Sequence, residues 1–275
     1  MTEKKSAVII GAGIGGIATA IYLAKNGYNV SVFEKNSAAG GRCGQLIREG
    51  HRFDLGATML IMPAIYKDIF NLLGIPLFEK NEINPLKNLY NIYFDNNDVL
   101  TFTTDKEKMR LQHERIESGS YAKSQKYVKD GYKIFQIGMN KLIGRNFDNI
   151  FQFANFRNIG MLVKLKTYIS NWRYVKKFFR DTHLRMAYTF QNIYVGQSPF
   201  DSPAPENWEH ACNISRGSVF GSLAHNLMQM GYFRPHNQHG RYKNLFFVGG
   251  STHPGNGIPN VLLSAKLTAE RILNK

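Results

Sequence analysis

The sequence predicts an α/β fold organised around one strand, turn and helix, and three observations carry that prediction. Ala7-Val8-Ile9-Ile10 is apolar and rich in β-branched residues, as a buried parallel strand is. It runs straight into Gly11-Ala12-Gly13-Ile14-Gly15-Gly16, after which Ile17, Ala18, Ile21, Leu23 and Ala24 follow at helical spacing. Glu34 stands 18 positions beyond Gly16, at the end of a second apolar segment, Tyr28 to Phe33.

Each element has a physical reason. Gly11 permits the tight turn, Gly13 lets a pyrophosphate approach the backbone, and Gly16 lets the helix pack closely on the strand, so the helix N-terminus faces a dianion. Gly27 ends the helix, and the second strand delivers Glu34 to where a carboxylate accepts hydrogen bonds from a ribose hydroxyl. An acid rather than an arginine there favours an unphosphorylated adenosine ribose and ranks FAD or NAD ahead of NADP. A purely structural glycine turn is the competing reading. The strand before, the helix after and the spaced acid are the context that separates the two.

With 275 residues, 43% of them apolar, the chain can hold one large domain or two small ones around a real core. Lys4 and Lys5 ahead of an apolar stretch resemble a signal peptide, but glycines placed for phosphate binding break that stretch. No run approaches the roughly 18 apolar residues needed to cross a bilayer. Cys43 and Cys212 are too few for a disulfide framework and fit a reducing cytoplasm, and Cys43 reads as a small packing residue. The net charge of +15 is concentrated between Tyr121 and Arg185, where 14 Lys or Arg face three acids among many aromatic side chains. An anionic membrane suits that mixture. Nucleic acid lacks any recognised binding motif here, and an ordinary solvated basic face remains open.

Further along, Gly40-Gly41-Arg42 forms a second glycine turn followed by a cation, and Asp54-Leu55-Gly56-Ala57-Thr58 a third loop whose glycine allows close backbone approach. Residues 100–195 read mainly as helix, with Lys126 to Gly138 and Met161 to Phe179 showing helical spacing. Near the C-terminus, Asn244 precedes an apolar strand, Leu245 to Val248. A glycine loop follows, then a helix through Val261, Leu262, Ala265, Leu267, Ala269 and Ile272, making a second anion site. No Ser-His-Asp constellation, Cys-His pair or metal-spaced ligand cluster is evident, no metal is called for, and the catalytic residues stay unassigned.

Together these pieces resemble the bacterial phytoene and diapophytoene desaturases, FAD enzymes of carotenoid biosynthesis in the wider flavin amine oxidase superfamily. The resemblance covers Gly11 to Gly16, Glu34, Gly40-Gly41-Arg42, Asp54 to Thr58, Met62 to Tyr66, Tyr93 to Asp95 and Tyr194 to Pro199. It returns at Gly231 to Pro235 and at Tyr242 to Pro259. It implies a Rossmann-like FAD-binding domain with a partial, mainly helical substrate or membrane domain. Residues 1–95 and 205–275 would form the two parts of the FAD domain, and 96–204 a basic, membrane-associated region. It also implies FAD contacts from Gly11, Gly13, Gly15, Gly16, Glu34, Lys35, Gly41, Arg42, Gly56, Ala57, Thr58, Gly249, Gly250, Gly257 and Ile258. His253 falls in the same loop, where a structural hydrogen bond is the expected role.

By the same resemblance the chemistry is desaturation of a long polyene precursor, with quinone or oxygen as electron acceptor and no nucleic acid. The protein would sit in the cytoplasm, peripheral on the inner face of the cell membrane. One departure stands out. Ser202-Pro203-Ala204 resembles the family just after its first helical region, whereas Pro205-Glu206-Asn207-Trp208-Glu209 resembles its C-terminal part, so a central segment is absent. The expectation is therefore a desaturase or a shortened form with reduced or no activity. A carotenoid end-group oxidase or oxygenase and a non-enzymatic flavin- or membrane-binding remnant are the alternatives.

Overall fold

The computed structural model describes residues 4–56, 60–80, 83–153, 155, 158, 160–161, 171–190 and 231–274. The chain divides into two compact units, the first comprising Met1–Asn81, Ile143–Phe147 and Ser198–Lys275, the second Glu82–Leu142 and Asp148–Gln197.

In the first unit β1 (Ser6–Ile10) and β2 (Asn29–Phe33) pair in parallel, Ser6 opposite Asn29 and Ile10 opposite Phe33. The crossover between them is α1 (Ile14–Lys25), closed at its C-terminus by Asn26 and by Gly27 at φ +85°. This is the predicted strand-turn-helix-strand. A hairpin follows, β3 (Gln45–Arg48) with β4 (His51–Asp54), whose two turn residues Glu49 and Gly50 both take positive φ. Helix α2 (Pro63–Leu73) starts on a proline and ends on Gly74 at φ +78°, with the Ile75 N–H returning to the Phe70 carbonyl at 2.8 Å. The last helix of the unit (Ile258–Leu273, α6 below) packs against α1 and α2, burying Leu262, Ala265, Leu267 and Ala269 beside Ala18, Leu23 and Ile69.

Two expectations for this unit are corrected. The strand Ala7–Ile10 is not buried on both faces: Val8 is 68% and Ile10 90% exposed, and Phe33 beside Ile10 is 61% exposed. Among the described residues β1 has β2 as its sole ladder partner and α1 covers one face, so the opposite face stays open. Nor does the apolar run Leu245–Val248 enter a ladder among the described residues. Phe246 bridges Gln238, the Phe247 N–H donates to the Asn237 carbonyl at 2.9 Å, and the side chains of Asn237 and Thr268 donate to the Phe247 carbonyl at 3.1 Å each.

The second unit opens on a hairpin that the sequence reading did not anticipate, β5 (Asn88–Tyr93) with β6 (Val99–Thr103), turning at Asn97 with φ +63°. Helices α3 (Lys106–Ile116), α4 (Ser120–Gly138) and α5 (Thr182–Thr189) follow. Asp105 caps α3 by accepting from the Glu107 and Lys108 N–H groups at 3.1 Å, and Asp181 caps α5 through the Leu184 N–H at 3.0 Å. The core is Leu100, Phe102, Val175, Phe179, Leu184, Ala187 and Tyr188, with Phe179 stacked on Tyr188 at 4.8 Å. Of the predicted helix Met161 to Phe179, the described part contains a short helical turn, Asn171–Val175. No helix among the described residues is long and apolar enough to cross a membrane.

Candidate functional site

The first unit contains a cavity of about 790 Å³, within the roughly 300–1,000 Å³ of small-molecule and cofactor sites. Its wall brings together Gly11, Gly13, Gly15, Gly16, Glu34, Lys35, Gly41, Arg42, Gly56, Gly249, Gly250, Gly257 and Ile258. Ala57 and Thr58 lie outside the described residues, as do Tyr194 to Pro199, the apparent junction at 204 and 205, and Cys212.

The glycines act in different ways. Gly11 sits at φ +99° and its N–H donates to the Phe33 carbonyl at 2.7 Å, closing the turn between the strands. A Cβ on Gly16 would run into the Gly11 carbonyl oxygen and touch Ile9, which is the close helix-to-strand packing expected of that position. A Cβ on Gly13 would meet nothing within 4 Å, so the backbone there is bare toward the cavity. The second glycine turn is tied to the first through the Gly40 N–H, which donates to the Ala12 carbonyl at 2.8 Å. Arg42 then reaches across to the C-terminal loop: a Cβ on Gly250 would come within 2.7 Å of its Nη2.

Two helix N-termini converge on this wall. Gly13 caps α1 and Gly257 caps α6, neither helix has a side-chain cap, and neither carries an acid in its first turn. Their leading N–H groups and dipoles are thus left without an anion of the chain's own, the arrangement that binds phosphate. Glu34 supplies the opposite polarity. Its carboxylate accepts from the Asn36 N–H at 3.0 Å and the Ala12 N–H at 2.7 Å, and those two bonds hold it below the usual carboxylate range. Ionised, it is an acceptor with lone pairs to spare for hydroxyl donors.

Behind the C-terminal loop lies a polar layer to which the sequence reading assigned no role. Arg234, Asn237, Thr252 and Ser264 are all buried. The Asn237 amide donates to the carbonyls of Phe247 at 3.1 Å and His253 at 3.0 Å and to the Ser264 hydroxyl at 3.0 Å, while Ser264 accepts from the Gly249 N–H at 3.2 Å. His253 is also buried, with Nε2 3.0 Å from the Arg145 carbonyl, the structural bond expected of it. Polar residue types scattered between positions 234 and 264 look like surface in a sequence, and only burial marks them as a scaffold.

Residues 9–74 match the family model of an NAD(P)-binding Rossmann-like domain. The chain is 34% identical over 208 residues to a phytoene desaturase of Phycomyces blakesleeanus, covering 75% of this chain and 36% of that protein. It is 33% identical over 203 residues to a zeta-carotene-forming phytoene desaturase of Myxococcus xanthus, covering 74% and 39%. With a 4,4'-diapophytoene desaturase of Staphylococcus aureus it shares 32% identity over 196 residues, covering 71% and 39%. The chain spans little more than a third of the length of these curated relatives. Over about three quarters of its residues it is homologous to phytoene and diapophytoene desaturases, and its N-terminal βαβ unit is Rossmann-like.

Proposed function

We propose that the cavity of the first unit holds FAD and that the chain carries the flavin-binding part of a carotenoid desaturase acting on phytoene or a diapophytoene-like polyene. The observation that carries this reading is the convergence of two uncapped helix N-termini, two glycine turns and the Glu34 carboxylate on one wall. The residues fit the cofactor: backbone N–H groups for a pyrophosphate, a fixed acceptor for ribose hydroxyls, and a bare backbone at Gly13 for close approach. FAD bound there would supply the hydride acceptor for CH–CH desaturation. The chain's own share is binding, orientation and exclusion of water, with the fifteen residues from Gly11 to Ile258 named above as the contact set.

We assign residues 1–81 and 205–275 to the flavin-binding part, and the basic stretch 96–204 to substrate and membrane contact together with the β5–β6 hairpin, whose first strand lies ahead of the expected boundary at 95 but pairs within the second unit. Contact is on the inner face of the cell membrane, with quinone or oxygen as acceptor. The support for membrane contact is the concentration of Lys and Arg between Tyr121 and Arg185. Turnover is expected to be low or absent in this chain. A polyene tunnel must exclude water, and its walls would draw on the central segment that the resemblance marks as absent.

The test is titration of the refolded apoprotein with FAD. Glu34→Ala should weaken binding about ten- to a hundredfold, the range for hydrogen bonds to a charged group. Unchanged affinity would sink the ribose assignment. Incubation with phytoene and diapophytoene in liposomes plus a quinone, followed by visible absorption, tests turnover, and a rate comparable with a full-length relative would refute the expectation of low activity.

A further inference from the structure

We infer that Arg234 is a positioning residue for the anionic part of the cofactor, acting through the loop it clamps rather than by contact. The inference rests on the reading of the cavity as an FAD site. Arg234 is 2% exposed, yet among the described residues no carboxylate pairs with it. A guanidinium stays charged at any working pH, and burying it without a counter-charge is costly unless something else answers the charge. Among the described residues backbone carbonyls alone do so: Nε donates to the Thr252 carbonyl at 3.1 Å and Nη2 to the Gly250 carbonyl at 2.7 Å. These bonds satisfy donors but leave the net positive charge in place.

The same two bonds set the orientation of the loop. A trans peptide is planar, with its C=O and the following N–H pointing in opposite directions. Because the Gly250 carbonyl is drawn onto the guanidinium, the Ser251 N–H is turned away from it, and Gly250 and Ser251 both line the cavity. Gly255 closes the other side, where an added Cβ would sit 3.8 Å from the Arg234 Cζ. One buried arginine therefore turns a donor outward and places an uncompensated cation behind the wall on which α6 begins. Both favour negative charge on a ligand. Lysine could not replace it, because a single ammonium does not reproduce the fork that spans two carbonyls.

The experiment compares wild type, Arg234→Met and Arg234→Lys, each checked for folding by near-UV circular dichroism, in titrations with FAD, ADP and riboflavin and in the reduction potential of bound flavin. Arg234→Met is expected to weaken FAD binding about tenfold or more, as loss of a charge-assisted contact does. Parallel loss for ADP, with riboflavin unchanged, places the effect on the phosphates. Loss for riboflavin with a lowered potential places it on the reduced ring, and either result supports the inference. FAD affinity and potential both within twofold of wild type in folded Arg234→Met would overturn it. If that variant does not fold, Arg234→Lys decides: weakened FAD binding supports the clamp, and wild-type binding overturns it. A wild-type chain that binds neither FAD nor ADP would overturn the cofactor reading itself, and this inference with it.

Discussion

In the second unit Leu100, Val175, Phe179 and Leu184 are fully buried, whereas in the first Ile10, at the heart of the nucleotide-binding strand, is 90% exposed. The second unit is closed by side chains. His113 is fully buried there, its Nδ1–H donating to the Met109 carbonyl at 2.8 Å and its Nε2 accepting from the Tyr188 hydroxyl at 2.8 Å, with burial lowering its pKa and keeping the ring neutral. The first unit is built by backbone: glycine turns, two bare helix N-termini and a loop held by carbonyl bonds to Arg234. The lesson is that a dinucleotide-type site can assemble from local strand-loop-helix pieces even where the sheet that carries them has an open face.

The comparison breaks first at the packed core. Phe179→Ala should destabilise the second unit by about 3–5 kcal/mol in denaturant unfolding, the cost of emptying a large buried site; a loss under about 1 kcal/mol would mean that the core is not tightly packed. Next comes Glu117, which accepts from the Arg180 N–H at 2.7 Å, the Asp181 N–H at 2.9 Å and Lys123 Nζ at 2.7 Å. Burial alone would raise its pKa, but these bonds outweigh burial and leave it lowered. A lowered folded-state pKa means stability that is present above the unfolded value, near 4.5, and lost as pH falls through the folded one. Glu117→Gln should cost on the order of 1–3 kcal/mol at neutral pH and flatten the acid limb of the melting curve. An identical acid limb in both proteins would remove Glu117 from the account.

Smaller effects sharpen the contrast from within the first unit. The Tyr22 hydroxyl on α1 is buried without a hydrogen-bond partner among the described residues, and burial pushes its pKa up to about 12. Tyr22→Phe should therefore be neutral or stabilising by up to about 1 kcal/mol, and a clear loss would reveal a bond to that hydroxyl. Least of all should come from Ile10→Ala, within about 0.5 kcal/mol, because the side chain is already in water. A cost as large as that of a core leucine would show that the open face of β1 is covered in solution.

Much of the site was legible in order along the chain. Gly11 to Gly16 announces its turn because each glycine answers a local demand, and Glu34 follows from the length of one helix and one strand. The start of α6 was readable from Pro259 and the apolar spacing beyond it. The β5–β6 hairpin was missed although Asn96-Asn97-Asp98 sits between two β-rich runs, because the helical region was read from about residue 100. Cavity contacts between Arg42 and Gly250 span more than 200 positions, and no local pattern encodes such a pairing.

By itself, then, the sequence determined the elements whose physics is local: where a strand must turn, where a helix must start with bare N–H groups, and which acid ends β2. Tertiary structure alone decided which polar residues are scaffold and which apolar ones lie in water. Arg234 and Asn237 look like surface residues until burial makes their bonds obligatory, and Val8 and Ile10 look like core until the structure shows them 68% and 90% exposed. Burial is a property of what packs from elsewhere in the chain, so it is written in no single stretch of it.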